Sequence, residues 1–262
     1  MFADVSHLDR PERYAMISRT SLARAAAIKC KIAVVLAVPA CLLFLVAGSV
    51  AWAVNDAGLY RNGFQRYNTA QRSGITDADL IVIGAELRRY FNTGTELLAV
   101  RAPIYGIEQD VFNQREIAHM YDVKRLVRGT YWVALGSGLW ILATLAAGFA
   151  TQRREYIGPA ARLAVWGGAV TLLAVVGVGL ASIAAFEQLF LLFHRLSFAN
   201  DLWILNPYTD YLLILFPGGF WFDATMRVAL TAVLGAILLL SAGWAILGYQ
   251  RWRTRQQSER PE

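Results

Sequence analysis

Histidine and cysteine are both scarce in this chain of 262 residues, with three of the first and two of the second. Cys30 and Cys41 sit at or inside the first apolar stretch, on the expected reducing side of a membrane, and no C-x-x-C pair exists. That excludes an extracytoplasmic disulfide framework and the common thiol redox and zinc motifs. H-E-x-x-H and G-x-S-x-G are also missing, as is any glycine-rich phosphate loop. Zincin chemistry, the serine-hydrolase elbow and nucleotide use therefore have no sequence support. No basic cluster with interleaved aromatics appears, so the net charge of +6 does not point to nucleic acid. Lysine is rare as well, outnumbered by arginine 22 to 3, and there is neither an internal repeat nor a low-complexity segment.

Hydrophobic residues make up 56% of the chain. Four runs, 32–54, 129–152, 163–186 and 228–250, contain no charge and are 23 or 24 residues long. At ~1.5 Å per residue each is long enough for a ~30 Å hydrocarbon core. The tripeptide AWA at 51–53 resembles a signal cleavage site, but the first run exceeds the ~7–15 apolar residues of a signal peptide. An uncleaved anchor is expected. Short positive segments set the orientation. The 1–31 tail carries six Lys or Arg, the next short loop has Arg153, Arg154 and Arg162, and the C-terminal tail has Arg251, Arg253, Arg255 and Arg260.

The expected architecture is an α-helical integral membrane protein with four transmembrane helices and both termini cytoplasmic. In order, it comprises a tail (1–31), a span (32–54), an extracytoplasmic α+β platform (55–128), a span (129–152) and a cytoplasmic loop (153–162). A third span (163–193), an extracytoplasmic interfacial or re-entrant segment (194–226), a fourth span (227–250) and a tail (251–262) follow. Within the platform, 73–94 reads as a helix with Thr76 as N-cap and Gly94 as its stop. Asn113 and Glu116 form a capping box for the next helix. The stretches GLYRNGFQRYN and ELLAVRAPIYG, aromatic and punctuated by glycine, read as short strands. YLLILF at 211–216 ends at Pro217-Gly218-Gly219, too short to span, so it is expected in the interface or dipping in and returning.

Two of the three histidines fall at the same end of apolar runs, His119 in EIAHMYDVKRLV and His194 in LFLLFHRLSF. An interfacial histidine often serves only as an amphipath, so the polar neighbours matter. Asp122 shares a helical face with His119 and is placed to fix its tautomer. Lys124 supplies positive charge for a phosphate or an oxyanion. Arg195, Asn200, Asp201, Asp210 and Asp223 are polar groups set among aromatics near a bilayer, where such residues are costly unless paired or functional. The trio His119, Asp122 and His194 could ligate a metal, but no further ligand motif accompanies it, and neither metal nor cofactor is expected. Ser197, three residues from His194, is a weak candidate nucleophile. A straight helix would lift His119 about 15 Å above the 129–152 run. A joint site at headgroup depth therefore calls for a bend near Gly129.

EIAHMYDVKRLV and FHRLSFANDLWILNPYTDYLLILFPGGFWFD resemble the two signature blocks of the lipoprotein intramolecular transacylase family and its four-helix membrane relatives, over roughly residues 32–250. The resemblance implies transfer of the sn-2 acyl chain of a diacylglyceryl lipoprotein to the α-amine of its N-terminal cysteine. It implies a catalytic pair His119 and His194; the residues around them add Asp122 as support for His119 as base, with His194 as acid or oxyanion stabiliser, or the two roles exchanged. The substrate-binding or oxyanion set is then Lys124, Arg195, Asn200, Asp201, Trp203 and Asp223. Partners would be diacylglyceryl-modified lipoproteins and membrane phospholipids, with no nucleic acid or nucleotide, in a bacterial cell membrane. An intermolecular acyltransferase on the same scaffold, and a non-catalytic membrane scaffold, are the alternatives.

Overall fold

The computed structural model describes residues 35–258; Cys30, the 1–31 tail and the start of the 32–54 run lie outside the described residues. Three helical stretches are long and apolar enough to cross a membrane: Val35–Asn55 (α1), Gln114–Ser197 and Gly218–Gln257. The middle one holds two helices, α5 (Gln114–Gln152) and α6 (Ile157–Ser197), separated by a 3-10 turn at Arg153–Tyr156. Arg153 reverses the chain there with φ 51 and ψ −125. Tyr156, 1% exposed, fills the corner against Gly148, where a Cβ would lie 2.1 Å from its ring. Leu173, Leu238 and Trp132 on these helices are 79, 71 and 70% exposed. An apolar surface of that kind suits hydrocarbon rather than water.

Small residues let the long helices close on one another. A Cβ at Gly168 of α6 would stand 2.7 Å from the Ala236 carbonyl oxygen of α8 (Gly218–Ser258), and one at Gly243 of α8 would stand 2.7 Å from the Ala161 carbonyl oxygen. Helix α1 touches all three others: Phe44 against Gly138 of α5, Cys41 against Gly167 of α6, and Leu45 against Gly235 of α8. Cys41 is free and buried.

A folded layer caps one end. It contains α2 (Ala57–Arg66), α3 (Thr69–Ser73), α4 (Asp77–Asn92) and the antiparallel hairpin β1 (Arg101–Ile104) and β2 (Ile107–Asp110). GLYRNGFQRYN is helical, not a strand. Leu59, Tyr60, Gly63 and Phe64 recur at helical spacing and form its buried face. Thr76 caps α4 by accepting from the Asp79 N–H, and α4 ends at Thr93, just before Gly94. The hairpin turns on Tyr105 and Gly106, with φ of 51 and 81, the signs a two-residue type I′ loop requires. Leu80, Ile83 and Leu87 of α4 form the centre of the core.

The short segment 211–216 forms α7 (Tyr211–Leu215), and its Leu212 and Leu215, with Phe216, are buried in this same core. The protein itself covers its apolar surface. Helix α5 carries no break at Gly129; it runs continuously from Gln114 to Gln152. The expected bend is absent. The histidines still meet because α6 extends to Ser197 and α8 begins at Gly218, nine residues before 227, so all three helices rise together.

Gly168→Ala should destabilise the protein in detergent by about 1–3 kcal/mol, because the added methyl meets backbone that cannot rotate away. Gly177→Ala, with open space around the new Cβ, should not lower the thermal midpoint in the same measurement.

Candidate active site

Position in the second turn of α5 is what fixes His119, and the start of α5 is fixed by Glu116. That carboxylate is 1% exposed. Its Oε2 accepts the Asn113 N–H at 2.7 Å, completing the capping box, and its Oε1 accepts the Leu212 N–H at 2.6 Å. Burial pushes its pKa up, while the two backbone donors pull it down. Further bonds tie the loop after α6 to the same helix. Asn113 donates to Asp210 at 3.0 Å, Arg115 donates to the Asp201 carbonyl, and Asn200 donates to Asp122 at 2.8 Å.

This stapling brings the last turn of α6 against the first turns of α5. The His119 and His194 ring centroids lie 6.1 Å apart at an interplanar angle of 31°. His119 is 5% exposed, edge-on to Phe198 at 5.0 Å, and its Nδ1 is buried without a hydrogen-bond partner. His194 is half-buried among Phe190, Phe193, Phe198 and Trp203. Its Nδ1 lies 2.8 Å from the Phe190 carbonyl oxygen. A carbonyl only accepts, so Nδ1 carries the proton and Nε2 keeps its lone pair. Both residues lie beyond the uncharged runs 129–152 and 163–186. Burial, with the facing His194, pushes the His119 pKa down to about 4 against a smaller upward pull from Asp122. Burial also lowers His194, offset in part by its bond to the Phe190 carbonyl.

The two histidines share a cavity of about 680 Å³ with Glu187, Phe190, Trp203, Trp221 and Phe222. That volume and its apolar lining with few polar groups are those of a small-ligand site. Of the sequence-derived binding set, Trp203 lines it. Asp122 is bonded to Asn200, not to His119, and so holds the loop rather than the imidazole. Lys124, 3% exposed, donates to the Thr95 carbonyl at 2.6 Å and lies 4.0 Å over the Tyr90 ring, outside the cavity lining. Arg195 and Asp201 are exposed and do not line the cavity. Asp223 accepts from Tyr67 at 2.8 Å and pairs with Arg66 at 3.3 Å. Glu187 was not singled out from sequence, although its spacing to Phe190 and His194 places all three on one helical face. Ala185, with φ −149 and ψ 50, breaks α6 just before them and re-aims its last three turns.

Long apolar helices capped by a small folded layer, with paired imidazoles over an apolar cavity at their junction, define a membrane-integral protein with a candidate site at one end of its long helices. The same fold occurs in the membrane-integral lipoprotein intramolecular transacylase Lit from Bacillus cereus, at a TM-score of 0.71 and 17% identity over 86% of this chain and 99% of that one. A second structure of that protein, bearing an arginine in place of one histidine, matches with a TM-score of 0.69 at 17% identity over 90% of this chain and 99% of that one. At such identity the likeness speaks for the fold alone. A model of the lipoprotein intramolecular transacylase family matches residues 35–221, and this chain belongs to that family, one of acyltransferases. An uncharacterized protein from Aquifex aeolicus (strain VF5) is 33% identical over 138 residues, 52% of this chain. The match spans 57% of that relative, little more than half its length.

Because the folded pKa of His119 lies below its ordinary 6.5, the unfolded chain binds the extra proton first as pH falls. Its contribution to stability is therefore complete above about 6.5 and is lost between there and about 4. Thermal midpoints measured across that window should fall, and those of His119→Gln should fall less steeply.

Proposed function

We propose that this protein is a lipoprotein intramolecular transacylase of the bacterial cell membrane, moving the sn-2 acyl chain of a diacylglyceryl-modified N-terminal cysteine onto that cysteine's α-amine. The observation that carries the reading is the facing of His119 and His194 at 6.1 Å over a shared apolar cavity. In this reading the uncharged runs within α1, α5, α6 and α8 are four membrane crossings, and the histidines lie beyond them. The arginine-rich ends lie in the cytoplasm and the folded layer, with the histidines, on the outer side.

The amine attacks the sn-2 ester carbonyl as the neutral base. An N–C bond forms, and the nitrogen's proton becomes acidic as it does so. His194 takes that proton at Nε2. The C–O bond to glycerol then breaks, and the proton passes to the departing glyceryl oxygen, so total mass is unchanged. The different surroundings of the two rings support this division of labour. His194 is in the last turn of α6, where the backbone favours an imidazolium, and its Nδ1–H is already committed to the Phe190 carbonyl. His119 is in the second turn of α5, where burial and the facing His194 keep it neutral. It serves as an N–H donor to the tetrahedral oxyanion. Asp122 acts one step removed, holding Asn200 and the Trp203 loop over the cavity. The substrate brings its own nucleophile, so holding amine and ester together supplies much of the rate, an advantage worth ~7–11 kcal/mol in favourable cases.

The test is tandem mass spectrometry of a lipoprotein's N-terminal peptide from a host that makes only diacylglyceryl forms. Expression of this protein should shift one acyl chain from glycerol to the amine at unchanged mass. His119→Ala and His194→Ala should each slow the transfer by roughly 10²–10⁴-fold. Added mass would identify an intermolecular acyltransferase, and an unaltered peptide beside folded protein would favour the scaffold.

A further inference from the structure

A second cavity, of about 440 Å³, lies at the other end of the long helices, lined by Arg162, Leu247, Gln250, Arg251, Thr254 and Arg255. Arg162 stands 23 residues before the break at Ala185, ~34 Å along that part of α6, and His194 lies beyond the break. The pocket exists because the start of α6 and the end of α8 pack closely. Gly158 faces the Gln250 side chain at 3.4 Å from where a Cβ would be, and Gly243 admits the Ala161 backbone. None of the six lining side chains is acidic. At this end, residues 151–162 and 251–258 carry Arg153, Arg154, Arg162, Arg251, Arg253 and Arg255 against Glu155 alone.

The pocket also straddles a boundary. The uncharged run of α6 begins immediately after Arg162, and that of α8 ends immediately before Arg251. Guanidinium groups therefore ring the polar side, while Leu247 lines the apolar side. A ligand suited to both must join an anionic oxygen cluster to hydrocarbon. Guanidinium is the side chain best shaped for phosphate oxygens, and basic pockets between helices at this level are where anionic lipid headgroups bind.

We propose that this pocket binds the headgroup phosphate of an anionic phospholipid from the adjacent leaflet. Arg162 and Arg251 pair with the phosphate oxygens, and Leu247 meets the start of the acyl chains. The site is independent of the histidine cavity and of its chemistry.

Purified protein in nanodiscs of equal phosphatidylglycerol and phosphatidylcholine, released into a native mass spectrometer, reports which lipid stays bound. Phosphatidylglycerol should be retained preferentially, by about fivefold for each arginine engaged. Arg162→Gln combined with Arg251→Gln should bring the preference close to parity. The charge-matched pair Arg154→Gln and Arg253→Gln, outside the pocket lining, should keep it. Arg251→Gln alone, at an exposed position, reads the same preference if the first double variant cannot be purified folded. Equal retention of the two lipids by the unaltered protein would overturn the proposal. So would equal loss in both double variants, which would mean diffuse surface charge without a built site. Displacement of the bound lipid by millimolar inorganic phosphate would assign the pocket to a free anion instead.

Discussion

One buried carboxylate joins the parts that make the site. Glu116 has no cationic partner in its two hydrogen bonds; it is held by the backbone N–H groups of Asn113 and Leu212, which belong to segments almost a hundred residues apart. Charge-assisted bonds of this kind are among the stronger ones a protein makes, and stripping the acceptor would leave two donors without partners. The first sets where α5 begins and hence the height and rotation of His119. The second anchors the start of α7 and, through the loop before it, the end of α6 and His194. Both imidazoles are thus located by one side chain whose hydrogen bonds go to backbone and to neither ring.

Unequal burial and hydrogen bonding then differentiate the two imidazoles. They are the same chemical group in the same cavity, yet one is deeply buried in the second turn of a helix and the other stands half-buried in the last turn of its neighbour, bonded to the Phe190 carbonyl. A shared aromatic wall from Phe190, Phe198 and Trp203 removes water from both and sharpens the difference.

Much of this was legible in the sequence where the governing interactions are local. Four uncharged runs marked the long helices, and the caps at Thr76 and Asn113 followed from residues three positions apart. Local cues also misled: glycine and aromatics in GLYRNGFQRYN suggested a strand, while the buried stripe of Leu59, Tyr60 and Phe64 follows the helical period. Uncharged runs measure hydrocarbon, not helix, so α5, α6 and α8 each overrun them, and that overrun replaced the bend expected at Gly129. The site residues divide the same way. His119 and His194 stood out by scarcity and flanking pattern. The true partner of Asp122 lies 78 residues away in Asn200, and the break at Ala185 has no proline to announce it, so neither could be read from spacing.

The position of α1 has a consequence for assembly. Its Phe44, Cys41 and Leu45 fit against glycines of α5, α6 and α8 in turn, while α5 and α6 are joined to each other at their two ends by the Arg153 corner and the histidine junction. Helix α1 is thus the element that the other three long helices share, each meeting it through a glycine. Taking α1 away would strip Gly138 of α5 and Gly167 of α6 of the side chains, Phe44 and Cys41, that fill the space beside them.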